Sequence, residues 1–257
     1  MYVFDISPVA FQIFGWPIRW YGLMYLIGIW LGWFYIRTQA VYFSVISKKY
    51  IDDFLPFCVA GVLLGGRLGY VIFYDPSYFY ANPASILKVW EGGMAFHGGA
   101  LGVGFAFLLY AWWHRLPLGV LADSYVVGVP VGIFFGRIGN FINQEAYGRL
   151  TDMPWGVVFS RVDPYLRHPS QLYEAFLEGI VLFWILRLFT PLLSRKPWAL
   201  TAIFLFSYGI IRFWVELYRV PDGWVSLGFV TLTVGQFLSI PMLFGGGWLL
   251  WSRLKKG

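Results

Sequence analysis

The chain is 257 residues long, 59% hydrophobic and 22% aromatic, with only 12% of its residues charged and a net charge of +6. A soluble domain carries about 25% charged residues, so this composition excludes one and points to a chain that crosses a bilayer repeatedly. The single cysteine, Cys58, lies in an apolar run, which rules out an internal disulfide and reads as a small packing residue.

Apolar segments recur at 17–36, 54–74, 96–113, 119–138, 171–190, 199–217 and 230–251. Each is near the roughly 20 residues that a helix needs to cross a membrane. They predict an all-α polytopic membrane protein, a bundle of about seven transmembrane helices. The bundle reads as one integral domain over residues 1–257, with a small extracytoplasmic loop domain at 139–169. Residues 38–53 read as a short helix along the inner surface, and 75–95 and 139–169 as the longest non-helical stretches. The N-terminus has neither a basic region nor a small-residue cleavage site, so no removable signal peptide is expected.

Basic residues orient the bundle. With the N-terminus outside, the inner loops hold Arg37, Lys48, Lys49, Arg115, Arg195, Lys196, Arg253, Lys255 and Lys256, leaving Lys88 as the outer lysine. Arg67, Arg137, Arg149, Arg161, Arg167, Arg212 and Arg219 fall in or near the outer half. A planar guanidinium suits a phosphate better than an ammonium does, so these arginines suggest an anionic ligand on that side. Four-residue glycine spacings (Gly61 and Gly65, Gly98 and Gly102, Gly128, Gly132 and Gly136) predict close helix packing for most of them, the alternative being that Gly65 and Gly66 beside Arg67, and Gly98 and Gly99 beside His97, clear backbone for a ligand.

Several constellations carry chemistry. Tyr21 and Tyr25 share a face of the first span and read as interfacial anchors. His97 opens the third span, either as a proton-transfer residue or as a hydrogen-bonded anchor. Residues 136–148 place Arg137, Asn140, Asn143 and Glu145 where a span surfaces, a density of polar groups that a simple helix cap does not need. Arg137 would grip a phosphate, the asparagines would meet headgroup hydroxyls, and Glu145 would fix the arginine or accept a hydroxyl. Around 168–174, Pro169 reads as the first residue of a helix capped by His168 or its neighbour, with Gln171, Glu174 and Glu178 forming one polar face. Tyr208, Arg212, Glu216 and Arg219 fall on one helical stripe, and intramembrane charges must face inward and pair. No histidine or cysteine spacing suggests a metal.

Taken together these segments resemble the prolipoprotein diacylglyceryl transferases of bacterial inner membranes. The signature Gly-Arg-x-Gly-Asn-Phe-x-Asn-x-Glu-x-x-Gly is met at every fixed position by Gly136 through Gly148. Residues 19–25, 65–70, 92–99 and 168–174 and the Arg212, Glu216 and Arg219 stripe extend the likeness along nearly the whole chain. The resemblance implies transfer of the diacylglyceryl group of phosphatidylglycerol to the lipobox cysteine thiol in a prolipoprotein signal peptide, releasing glycerol phosphate. It implies no cofactor and no nucleic-acid partner. Arg137 is implied as a phospholipid ligand, and functional importance falls on His97, Tyr21, Asn140, Glu145, Gly148, Tyr208, Arg212, Glu216 and Arg219. On these grounds His97 is the candidate base and Arg137 and Arg212 the candidate phosphate clamp, with Tyr208 beside them. Arg67 and Asn143 join the substrate-binding set. A transporter or binding protein for an anionic lipid or solute is the rival reading; a transporter is expected to show an internal repeat or broken helices, and the sequence displays neither.

Overall fold

In a computed structural model, residues 2–88 and 92–255 are described. Short strands β1 (Tyr2–Phe4), β2 (Val9–Ile13) and β3 (Trp16–Arg19) precede α1 (Trp20–Gln39), α2 (Lys48–Phe73) and the brief α3 (Pro76–Ala81). Then come α4 (Phe96–His114), α5 (Leu118–Val126) and α6 (Val129–Asn143), followed by β4 (Val157–Phe159) and β5 (Leu166–Arg167). Helix α7 (Ser170–Glu174) runs through a π-helical stretch, Ala175–Val181, into α8 (Leu182–Leu193). The chain ends with α9 (Ala199–Val215), β6 (Trp224–Ser226), β7 (Thr231–Thr233) and α10 (Val234–Leu254).

The molecule is mostly helical, and each of the seven apolar segments contains a helix. By length and composition three helical runs are able to cross a bilayer: Lys48–Phe73, Ser170–Leu193 and Val234–Leu254. The α5–α6 pair is a fourth if it counts as one span, and it bends by 44° at its break. The bend and the π-helical stretch mean that broken helices are present after all, so that criterion does not separate a transporter from an enzyme.

The helices pack in a series, α4 on α2, α2 on α1, α1 on α6, then α7–α8, α9 and α10. Glycines set the closest approaches. A Cβ at Gly61 would lie 2.7 Å from the Gly102 carbonyl oxygen, and one at Gly69 2.8 Å from Gly98 Cα. At the α1–α6 contact Gly28 meets Gly132 at 3.2 Å. These stripes therefore serve helix packing. Phe54, Tyr110, Leu121 and Tyr125 belong to one buried apolar cluster. Its hydroxyls donate to backbone, Tyr110 to Tyr50 at 3.1 Å and Tyr125 to Ile51 at 2.5 Å.

Several expectations need correction. The fold is not wholly helical: among the described residues the strands form a three-stranded sheet, β1-β4-β5, and the hairpins β2-β3 and β6-β7. Strand β1 pairs in parallel with β4, so the N-terminus belongs to the same small sheet as residues 157–167. The β2-β3 hairpin turns through Phe14 and Gly15, both with positive φ, and occupies the start of the first apolar segment. Residues 38–53 form no separate surface helix; α1 runs to Gln39, a single 3-10 turn covers Ala40–Tyr42, and α2 begins at Lys48 under a Ser47 cap. The stretch 75–95 is not without helix, since it holds α3 and a 3-10 turn at Pro83–Leu87. Lys256 lies outside the described residues.

Arg67 departs furthest from expectation. It is 6% exposed, and its guanidinium donates to the carbonyls of Ser85 (2.5 Å), Ile86 (2.8 Å), Gly92 (2.6 Å) and Gly93 (3.1 Å) while lying over the Phe79 ring. Its donors hold the segment that leads into α4. Arg67→Lys should therefore be costly, because one ammonium cannot reach four carbonyls placed for a fork. We expect a loss of about 2–4 kcal/mol, the scale of two or more charge-assisted hydrogen bonds. Thermal unfolding in detergent measures it, and an unchanged midpoint would remove the clamp.

Candidate active site

Helices α6, α7 and α9 converge on a buried charge network. Arg137, on α6, donates Nε and Nη2 to Glu178 Oε2 at 3.2 and 3.0 Å, and its Nη1 lies 3.2 Å from Glu174 Oε2. Arg212, on α9, donates Nη1 to Glu174 Oε1, and Nη2 to Glu216 Oε1 at 2.6 Å. Glu174 thus bridges arginines of two different helices, one on each oxygen. Glu216 accepts Arg219 Nη1 at 3.2 Å, and its Oε2 accepts the Thr233 hydroxyl at 2.7 Å. Arg219 Nη2 reaches Asp222 at 2.9 Å.

Burial is one-sided. The side chains of Glu174 and Glu178 are fully buried and that of Glu216 is 1% exposed, whereas Arg137 and Arg212 retain 19% and 12%. The acids lie behind and the guanidinium groups in front, so the accessible edge of a neutralised network is cationic. A fork that still has unused N–H groups in a poorly hydrated site is suited to an oxyanion. Tyr208, on α9 one turn before Arg212, stacks on Phe204 with ring centroids 5.6 Å apart and lies within electrostatic reach of Arg137, Arg212, Glu174 and Glu178.

The predicted stripe of Tyr208, Arg212, Glu216 and Arg219 is not one continuous helix. Helix α9 stops at Val215, Glu216 is its C-cap, and Arg219 pairs across a backbone bridge with Gly148. The three charged side chains converge all the same. Residues 136–148 form the end of α6, terminated by Gln144 in a left-handed conformation at φ 60°. That strain has a local cause: Gln144 is buried, donates to the Phe4 carbonyl at 3.0 Å and accepts from Arg161 N at 2.8 Å, stitching α6 to the small sheet. Holding Arg137 falls to Glu174 and Glu178, not to Glu145. Glu145 instead accepts from Asn143 at 3.2 Å and from Asn140 at 3.5 Å. Tyr21 bonds Tyr25 through their hydroxyls at 3.0 Å, and a Cβ at Gly139 on α6 would meet its ring at 3.1 Å. At Gly148 a side chain would collide with the backbone of His168, so a close chain crossing requires this glycine.

Other outer arginines brace the surface segment. Arg149 donates to the Arg219 carbonyl at 3.0 Å, and Arg161 to that of Ile142 at 2.6 Å. Arg167 pairs with Asp163 and donates to the Gly148 carbonyl at 3.1 Å. The hydrogen bond from Arg167 holds the Asp163 carboxyl below the usual carboxylate range. Those arginines do not form one anion-binding cluster with Arg137 and Arg212. His97 opens α4, exposed and on the helix packed against α2, whereas the arginine–glutamate network is built on α6, α7 with its π-helical extension, and α9. Nor does a side chain cap α7: its N-cap is Pro169, while the Ser170 hydroxyl donates to the Ala146 carbonyl at 2.9 Å. His168 instead meets the Tyr173 hydroxyl at 3.1 Å, and burial pushes its imidazole below the ordinary histidine range. These two residues line an apolar cleft of about 470 Å³ with Trp155, Phe176, Trp214 and Tyr218.

Glu174 and Glu178 are the residues that sequence reasoning under-read. Their four-residue spacing placed them on one polar face with Gln171, but nothing within that segment named Arg137 and Arg212 as partners. The usable signal was charge balance: Arg137 and Arg212 sit in apolar helices and need acids facing them. Among the described residues no three His, Cys, Asp or Glu side chains are grouped to hold a metal.

The sequence matches the prolipoprotein diacylglyceryl transferase family over residues 8–252. A phosphatidylglycerol–prolipoprotein diacylglyceryl transferase of Pseudoalteromonas translucida is 46% identical over 249 residues, 96% of this chain and 93% of the relative. Relatives bearing the same name from Rickettsia felis and Rickettsia canadensis are 45% and 46% identical, and cover 96% and 98% of each chain in the pair. This chain belongs to the prolipoprotein diacylglyceryl transferase family.

Proposed function

We propose that the chain transfers the diacylglyceryl group of phosphatidylglycerol to the lipobox cysteine of prolipoproteins. The observation that carries this is near-full-length identity of about 45% with transferases of that name. The arginine pair gives it a physical site. A thiol attacks an sp3 carbon of the lipid glycerol, the carbon–oxygen bond breaks, and its electron pair goes to a phosphate oxygen. Arg137 and Arg212 stabilise that oxygen where water is scarce and electrostatic contacts are strong. An ordinary thiol has a pKa of about 8.5, so a base is needed at neutral pH; His97 is our candidate. Tyr208 lines the same charges; Tyr21, Asn140, Asn143, Glu145 and Gly148 form the neighbouring end of α6; and Glu216 and Arg219 support Arg212. Arg67 acts through the loop it clamps.

The membrane arrangement belongs to the same reading. Seven spans place the N-terminus outside and the C-terminus inside the bacterial inner membrane, with residues 139–169 as an outer head on a single integral domain. The lysine distribution and a helix in each apolar segment support it. A transporter for an anionic solute also accommodates the 44° bend in α5–α6.

Purified protein incubated with phosphatidylglycerol and a lipobox peptide should add one diacylglyceryl group to the peptide, read by mass. An unmodified peptide beside lipid uptake into vesicles would favour transport. Arg137→Lys should lose most transfer although the charge stays, because an ammonium cannot serve Glu178, Glu174 and a phosphate together; near-normal rates in folded protein would dismiss the fork. His97→Gln should slow transfer at neutral pH by roughly 100- to 10,000-fold. Activity should partly return towards pH 9 as the peptide thiol ionises on its own, and a flat profile would assign His97 to positioning.

A further inference from the structure

Glu178 stands where three observations meet. Its side chain is fully buried, and Oε2 takes both Nε and Nη2 of Arg137, while Oε1 accepts no hydrogen bond and has its nearest cation, Arg212 Nη1, at 3.8 Å. The network is already balanced: Arg137, Arg212 and Arg219 face the buried carboxylates of Glu174, Glu178 and Glu216, and the further acid, Asp222, has a side chain 69% exposed. An arriving phosphodiester therefore brings a surplus negative charge into a poorly hydrated site, where uncompensated charge is expensive. Glu178 also lies within the π-helical stretch Ala175–Val181, a register found mostly as single turns at functional sites. The groups facing it are Arg137 from α6, Glu174 from α7, and Tyr208 and Arg212 from α9.

We propose that Glu178 is the resident counter-anion of Arg137: the lipid phosphate displaces it, and it takes up one proton as it leaves the guanidinium. This rests on reading Arg137 as the phosphate ligand. The proton has a destination. As the sulfur–carbon bond forms and the glycerol carbon–oxygen bond breaks, the electron pair passes to the phosphate oxygen. Glu178 returns its proton there, giving the monoanion of glycerol phosphate, and the thiol proton passes to the base. The restored carboxylate then recovers Arg137 and competes with the product for it.

Equilibrium binding of phosphatidylglycerol in detergent, without peptide, tests the exchange between pH 6 and 9. In the wild type the Kd should rise with pH, by up to tenfold per unit, the slope of one proton taken up on binding. Glu178→Gln removes the competitor, so lipid should bind several-fold more tightly at pH 8, with a shallower pH slope, while kcat falls. Weaker binding with the wild-type slope would overturn the proposal and make Glu178 a structural brace. A variant that unfolds in neutral detergent should regain its thermal midpoint with phosphatidylglycerol but not with phosphate-free diacylglycerol, since the phosphate replaces the missing anion; no rescue also overturns it. If Arg137→Lys binds phosphatidylglycerol normally, the underlying reading fails instead, whatever Glu178 does.

Discussion

The bridge from Arg137 through Glu174 to Arg212 is the interaction on which the rest depends. It joins α6, α7 and α9, helices far apart in sequence, at a depth where neither charge is stable alone. Losing one member of such a buried pair costs about 3–5 kcal/mol, because the survivor is left without compensation. The network is therefore a structural bond between helices and, in the proposed reaction, an anion site as well.

The segments around the network hold its helix ends in register. Arg149 N donates to the Tyr218 carbonyl at 2.8 Å, Val220 N to that of Tyr147 at 3.2 Å, and Gly148 N to that of His168 at 3.0 Å. The chain just after α6 is thus sewn to the chains just before α7 and just after α9. Helix α10 joins through Thr233, whose hydroxyl donates to Glu216 while its oxygen accepts from Gln236 N within a capping box. Strands of two to five residues would not be stable alone; here they fix where charged helix ends meet.

Much of this was legible beforehand. Apolar length located a helix in every predicted segment, glycine spacing marked α2, α4 and α6 as closely packed helices, and residues 136–148 marked the end of α6. What stayed hidden was pairing between segments. Periodicity reports which face a residue occupies but not which distant face it meets, so Glu174 and Glu178 read as a polar stripe without partners. The same limit explains Arg67 and Arg161: a guanidinium beside an apolar run looks like an anion site until the backbone carbonyls it caps are known. Strand β1 escaped notice because three residues carry no usable alternation, and its partner β4 lies about 150 residues away.

The helix series also separates the chemistry. His97 starts α4, packed on α2, whereas Arg137 and Arg212 lie on α6 and α9; α1 contacts both α2 and α6. Tyr21 and Tyr25 project from α1, with Tyr21 against α6. If His97 is the base and the arginines the phosphate clamp, as proposed, two separate groups suit a displacement in which the attacking thiol and the leaving phosphate oxygen lie on opposite faces of the carbon. Holding both converts an encounter in the membrane into an oriented one, the source of much of the rate in bimolecular enzymes.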